Sequence, residues 1–357
     1  MVRPLAPLVS ILIPAYNAEP WIADAIRSAL AQTWKNKEII VVDDGSRDQT
    51  LSVARHFASE GVTVVTEKNQ GASAARNRAF ELCRGDYIQW LDADDLLARD
   101  KIVKQMEVAE AGQSKRTLLS AAWGYFMYRP SKAKFIPTSL WCDLSPVEWL
   151  LRKMEQNLHM QTATWLVSRE LTEAAGSWDT RLSLDDDGEY FCRVLMVSNG
   201  VRFVPDGIVF YRRPGFSRLS NVDRSNNKLE SQFLSIQLHL KYLRSLEDSE
   251  RVRASCVNYL QSWLIYFYPN KPDIVAWVQQ LAADLGGRLD IPRLRWKYAW
   301  IRSIFGYDFA KRAQFLLPQM KWSASSWWDK ALFCLENRKY FTVTTQATSS
   351  ARIRDHS

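Results

Sequence analysis

Three carboxylate groups have a spacing that suggests chemistry. Trp90–Asp95 reads WLDADD, so the apolar run DYIQWL leads straight into Asp92, Asp94 and Asp95. Like charges this close repel one another, and a hard divalent cation such as Mg2+ or Mn2+ relieves that repulsion. Mg2+ takes one or two protein carboxylates and completes its shell with phosphate oxygens and water, so this cluster plus a diphosphate suffices. The plain alternative is a solvated loop with helix-capping aspartates. The second group, DDGS at 43–46, suits a strand-to-helix turn. A buried Asp in such a turn could instead accept a hydrogen bond from a base N–H or a ribose hydroxyl. Tyr16, in PAYN, could stack on a flat base or simply pack. The third group, SLDDDGEYFCR, holds Asp185, Asp186, Asp187 and Glu189. Acids in a first helical turn complement the macrodipole. Three in a row exceed what capping needs, and their repulsion raises a carboxylate pKa. A raised pKa is what a general base working near neutral pH requires.

The flanking patterns would position these groups at one edge of a sheet. VSILIP, EIIVVD, VTVVTE and YIQWLD read as strands, alternating with helices through the first 110 residues. The first helix shows a face of Trp21, Ile22, Ala25, Ile26, Ala29 and Leu30, close to a 3.6 period. The second spans roughly Gln49 to Ala58, and the third opens at NQGASAARN with Gly71 and Ser73 as start signals. Strands of near-continuous Val and Ile are buried on both faces, which predicts a mainly parallel α/β sheet flanked by helices. Such sheets bind ligands at the carboxyl ends of their strands, where PAYN, DDGS and DADD fall. Further on, LLSAAWGYFMYRP reads as a strand, and SPVEWLLRKMEQN as a helix with Ser145 as cap and Pro146 at its first position. TATWLVSREL is strand-like and leads into a short helix, and VRFVPDGIVFYRR looks like a closing strand pair. From about Asp223 to about residue 335 the pattern is helical, and the last dozen residues read as disordered.

Composition narrows the classes. At 357 residues and 47% hydrophobic, the chain can bury a sizeable core, and wholesale disorder is excluded. A net charge of +8 suits an anionic partner. No run of 18 apolar residues predicts a membrane-spanning helix. MVRPLAPLVSILIPAY lacks a small-residue cleavage site and reads as a first strand rather than a leader. The five cysteines are scattered without a CxxC, as expected of reduced core thiols, and the four histidines show no metal-ligand spacing.

Taken in order, VSILIPAYN, IIVVDDGSRDQT, NQGASAARN, YIQWLDADD and WDTRLSLDDDGEYFCR resemble the motifs of family 2 glycosyltransferases of the GT-A fold. The resemblance covers about residues 8 to 213. It implies an inverting transferase that moves a sugar from a nucleotide sugar, usually a UDP sugar, to an acceptor hydroxyl with the help of Mg2+ or Mn2+. Carried over residue by residue, Pro14, Tyr16 and Asn17 would line the nucleotide, and Tyr16 would stack on its base. Asp44 would bond the base edge and Asp43 would support that turn; Arg76 and Asn77 would lie near the nucleotide. Asp92 and Asp94 would form the DxD pair, with Asp94 the direct metal ligand and Asp92 on the ribose or behind the metal. Asp187 takes the general-base position, and a one-residue slip of register would pass it to Asp186. Glu189 and Arg193 fit the following helix, Gly188 would widen the acceptor site, and Arg212, Arg213 and Arg218 either close over the phosphates or form a solvated basic loop. Two rivals share parts of the pattern. One is a sugar nucleotidyltransferase, which needs a glycine-rich first loop where this chain has IPAYNAE; the other is an inactive nucleotide-sugar-binding relative.

The resulting expectation is a nucleotide-binding half at 1–110, an acceptor-binding half at 111–220, a helical region at 221–340 and a disordered tail at 341–357. The acceptor would be a carbohydrate or glycolipid in surface polysaccharide, glycolipid or glycoprotein glycan synthesis, with no nucleic acid involved. Between Ile291 and Lys321, seven Lys or Arg and one acid are interleaved with aromatic residues. That mixture suits an anionic membrane surface, a homodimer contact or plain helical packing. The expected location is cytoplasmic, and the first of these would make the protein peripheral on the inner face of the membrane.

Overall fold

The computed structural model describes residues 6–112, 114–213 and 226–352, with 337–352 as backbone alone. The first half alternates β1 (Val9–Ala15), α1 (Ile22–Leu30), β2 (Lys37–Asp43), α2 (Thr50–Arg55), β3 (Val62–Thr66), α3 (Ala72–Leu82) and β4 (Tyr87–Trp90). Then follow β5 (Leu96–Leu97), α4 (Lys101–Ala111), β6 (Thr117–Phe126), β7 (Lys134–Phe135), α5 (Pro146–Glu155), β8 (Val167–Ser168), α6 (Arg169–Ala175), α7 (Asp186–Val197) and β9 (Gly200–Arg212). Four helices close the chain: α8 (Asn226–Leu246), α9 (Glu250–Phe267), α10 (Pro272–Asp284) and α11 (Ala299–Arg352).

The main sheet has the order β3-β2-β1-β4-β8. Its first four strands are parallel, and β8 joins antiparallel through Ile88↔Val167. Side chains alternate across it, as the two-residue period of a strand dictates. Ile11, Ile13, Ile39 and Val41 pack with Ala25 and Ile26 of α1 and Ile102 and Met106 of α4. Leu12, Ile40, Val42 and Ile88 face the other way, toward Ala75 and Ala79 of α3. Burial on both faces is why these strands read as continuous apolar runs. A second sheet has the order β5-β9-β6-β7. The mixed, mainly parallel α/β architecture with a helical C-terminal region is the one the sequence implies.

Several local expectations change. TATWLVSREL is a 3-10 turn at Thr162–Thr164 followed by the two-residue β8 and the start of α6. VRFVPDGIVFYRR is no strand pair but the single 13-residue β9. The cap signals of α5 hold: Ser145 Oγ accepts from the Glu148 N–H at 3.3 Å, and Pro146 opens the helix. The backbone stays helical to Arg352, into the tail expected to be disordered, and 353–357 lie outside the described residues. Cys334 is exposed, unlike the buried Cys83, Cys192 and Cys256.

Two compact units divide the chain. One comprises Met1–Gly124, Phe135–Tyr211 and Leu219–Arg293; it holds the main sheet and all three acid clusters. The other comprises Tyr125–Lys134, Arg212–Arg218 and Leu294–Ser357.

Candidate active site

Within the first unit, the parallel strands bring PAYN, DDGS and DADD to their carboxyl ends. Tyr16 stands just past β1 and is 38% exposed, whereas Pro14 is buried inside the strand. Asn17 has a positive φ of 48°. Its Oδ1 accepts from the Arg47 N–H at 2.9 Å and its own N–H donates to Ser46 Oγ at 3.0 Å, so it ties the loops after β1 and β2 together.

The two acids of DDGS have different surroundings. Asp44, 2% exposed, accepts from the N–H of Gln70 at 2.7 Å and of Gly71 at 2.9 Å, and from Asn69 Nδ2 at 2.9 Å. Its carboxylate therefore holds the turn that starts α3. Asp43 accepts at Oδ2 from Thr66 Oγ1 at 2.8 Å and from the Ser46 N–H at 3.3 Å. Its Oδ1 is buried with no donor among the described residues. The unspent acceptor of this turn thus sits on Asp43, and the supporting acid is Asp44, the reverse of the expected division.

Arg76 is the centre of the site. It projects from α3, 6% exposed, with Nη2 on Asp92 Oδ1 at 2.8 Å and Nη1 on Asp186 Oδ2 at 2.6 Å. Its guanidinium lies 4.4 Å over the Trp178 ring, and the two carboxylates outweigh burial and hold it firmly charged. Only the planar fork of an arginine can span two carboxylates in this way. Asn77 is not turned to the same side. It clasps the Trp178 backbone, donating to its carbonyl at 3.0 Å and accepting from its N–H at 2.8 Å. Trp178 then stacks on Tyr190 at 4.0 Å and 7°, which anchors the loop before α7.

The aspartates of DADD have separate roles. Asp92 bonds Arg76 through Oδ1. Asp95 is fully buried and bonds Gln161 Nε2, while Gln161 Oε1 accepts from the Ala163 N–H at 2.6 Å. Asp94 is half-buried between them in the sequence. Among the described residues no three His, Cys, Asp or Glu gather as a complete metal cage. The donor set here, Asp94 with Asp92, fits an ion whose remaining ligands come from a diphosphate and water.

The DDDG turn resolves in the same way. Asp185 adopts a left-handed φ of 59°, and its carboxylate bonds Ser235 Oγ and lies 3.9 Å from His239 Nε2. A Cβ on Gly188 would stand 2.1 Å from Asp185 Oδ1. Gly188 therefore makes room for this carboxylate. Asp186 is held by Arg76 and by Ser73 Oγ at 3.2 Å. Asp187 accepts only weaker contacts, from Thr162 Oγ1 at 3.2 Å and the Gly188 N–H at 2.9 Å. Burial first, then the neighbouring Asp186 and Asp185, push its carboxyl up to about 7.

Other expected contacts are redirected. Glu189, 1% exposed, is closed on Arg193 at 2.6 Å and Tyr242 Oη at 2.6 Å, and Arg193 Nη1 donates to the Ala175 carbonyl at 2.5 Å. Both tie α7 to its neighbours. Arg212 and Arg213 belong to the second unit, where they lie over Phe126 at 4.7 Å and Trp322 at 5.0 Å. Arg218 lies outside the described residues. Sequence reasoning missed Thr162, Gln161 and Trp178, whose part in the site comes from contacts with residues 25 to 102 positions away along the chain. The polar QTAT run before an apolar stretch was the available signal for Gln161 and Thr162, and Trp178 opens the WDTRLSLDDDGEYFCR motif.

Comparisons with known proteins bear on the family likeness and the fold. Residues 10–129 match the family model described as Glycosyl transferase family 2. An uncharacterized glycosyltransferase of Haemophilus influenzae is 28% identical over 239 residues, covering 66% of this chain and 88% of that protein. Chondroitin synthase of Escherichia coli is 46% identical over 98 residues, covering 27% of this chain and 14% of the synthase. The fold is similar to that of S. aureus TarS 1-349, solved in complex with UDP-GlcNAc. The TM-score is 0.56 and the identity 17%, and the match covers 78% of this chain and 88% of TarS 1-349.

Proposed function

We propose that this chain is a family 2 glycosyltransferase that moves a sugar from a nucleotide sugar to an acceptor hydroxyl with inversion at the anomeric carbon. A UDP sugar is the favoured donor, since TarS, of similar fold, was solved with UDP-GlcNAc. The observation that carries the reading is the Arg76 fork. By binding Asp92 and Asp186 together, it joins the strand end that would hold the donor to the helix start that carries the base.

Each side chain then has a task. Tyr16 stacks on the base, and the open Oδ1 of Asp43 accepts from its N–H. Asp94 and Asp92 would hold Mg2+ or Mn2+, which would supply positive charge against the departing diphosphate. Arg76, through Asp186, fixes the first turn of α7. Asp187, the carboxylate of that turn without a cationic partner in hydrogen-bond contact, takes the proton of the acceptor hydroxyl as it attacks. Chondroitin synthase makes a polysaccharide, and a carbohydrate or glycolipid acceptor in surface glycan assembly follows from that kinship.

The test is incubation of the purified protein with a panel of nucleotide sugars and simple glycoside acceptors, with product anomers read by NMR. Inverted product that needs Mg2+ or Mn2+ and vanishes in chelator supports the reading. Retained configuration, or full activity in excess chelator, removes the displacement mechanism or the metal respectively.

A further inference from the structure

The second unit presents a surface that the catalytic reading does not use. Gly306 (φ 81°) interrupts α11 and separates a short first segment from the long one that follows. In the long segment, Trp322, Asp329, Phe333 and Glu336 are engaged on one side. Trp322 meets Tyr125 at 5.8 Å, Phe333 meets Tyr128 at 6.1 Å, and Arg129 donates to Asp329 at 2.7 Å and Glu336 at 2.8 Å. A helix packed this way should show polar groups on its far side. Here the far side is apolar: Phe309, Leu316, Leu317, Met320, Trp327 and Trp328 are each between 47% and 70% exposed. Phe309, Leu316, Met320 and Trp327 recur at intervals of seven, four and seven, which is one stripe of a 3.6-residue helix.

Charge identifies what covers the stripe. Arg312 and Lys321 are exposed along its borders, and Arg295, Lys297 and Arg302 of the same unit are exposed just before them. Two of the three acids between Tyr307 and Glu336, Asp329 and Glu336, are bound to Arg129 on the inner side. The outer side is therefore apolar and cationic together. Tryptophans at such a border settle at headgroup depth, while Lys and Arg meet lipid phosphates. No helix among the described residues is long and apolar enough to cross a membrane, so the face would lie on a bilayer rather than enter it. A second copy fits less well: the positions that would continue a heptad seam include Ser323 and Lys330, and Pro318 lies within the stripe region.

We infer that the outward face of α11 docks on an anionic phospholipid surface, independently of what the catalytic unit does. The test is flotation of the full-length protein with vesicles of neutral phosphatidylcholine and of phosphatidylcholine carrying about 30% phosphatidylglycerol. Each basic residue near an anionic surface adds about fivefold to partitioning, so binding to the anionic vesicles should exceed neutral binding by at least about tenfold and fall several-fold at high salt. The Trp327→Ser/Trp328→Ser variant should lose about tenfold in anionic-vesicle binding with an unchanged circular dichroism melt. Wild-type protein that binds both vesicle types equally, or ignores both, overturns the inference. So does light scattering that shows a dimer which this variant dissociates, because a second copy then covers the face.

Discussion

Asp187 and Asp186 are adjacent, yet their surroundings assign them different work. Asp186 is paired with Arg76, whereas Asp187 is half-buried among like charges and pushed up to about 7. A base must be deprotonated to act, so transfer should fall about tenfold per pH unit below about 7 in a pH–rate profile. The same shift has a consequence for folding. The folded state keeps this proton where the unfolded chain, near the ordinary Asp value, has lost it. Stability should therefore decline as pH rises from about 4 to about 7, and Asp187→Asn should raise the Tm measured at pH 8. Arg76→Ala leaves two carboxylates without their cation and should cost about 3–5 kcal/mol in denaturant unfolding. The sequence made the three acid groups visible because carboxylates at this density are rare without purpose. It could not divide their labour. Asp44 rather than Asp43 supports the turn because Gln70 and Gly71 fold back onto it, 26 and 27 residues away.

Among the elements, the strands were legible where both faces are buried. β1 and β2 are continuous apolar runs, and the Ser145–Pro146 start of α5 is a local signal. The region of β8 was not, because two residues of strand leave no periodicity to read and the 3-10 turn before it is set by Gln161 bonding Asp95. β9 reads as two strands because PDG interrupts its alternation, but it runs on as one. The start of α7 depends on a glycine whose reason was also hidden. Asp185 beneath it is fixed by Ser235 and cannot yield to an added methyl. Gly188→Ala should therefore destabilise the protein by about 1–3 kcal/mol, measured by urea unfolding, and Asp185→Ala in the same chain should recover part of the loss.

For the molecule as a whole, one unit carries all three acid clusters and the other carries a helix with an apolar, basic outer face. The basic and aromatic composition of the C-terminal region was visible in the sequence. Which aromatics pack inward, as Trp322 and Phe333 do, and which face out, as Trp327 and Trp328 do, needed the partners on Tyr125 and Tyr128. The account rests most on Asp187 as the base of nucleotide-sugar transfer. The direct measurement is release of nucleoside diphosphate by wild type, Asp187→Asn and Asp186→Asn, alongside calorimetric binding of that diphosphate. Asp187→Asn is expected to bind the diphosphate as the wild type does while its turnover falls about 10^2–10^4-fold. Near-normal turnover in Asp187→Asn, with the full loss in Asp186→Asn, would contradict the account.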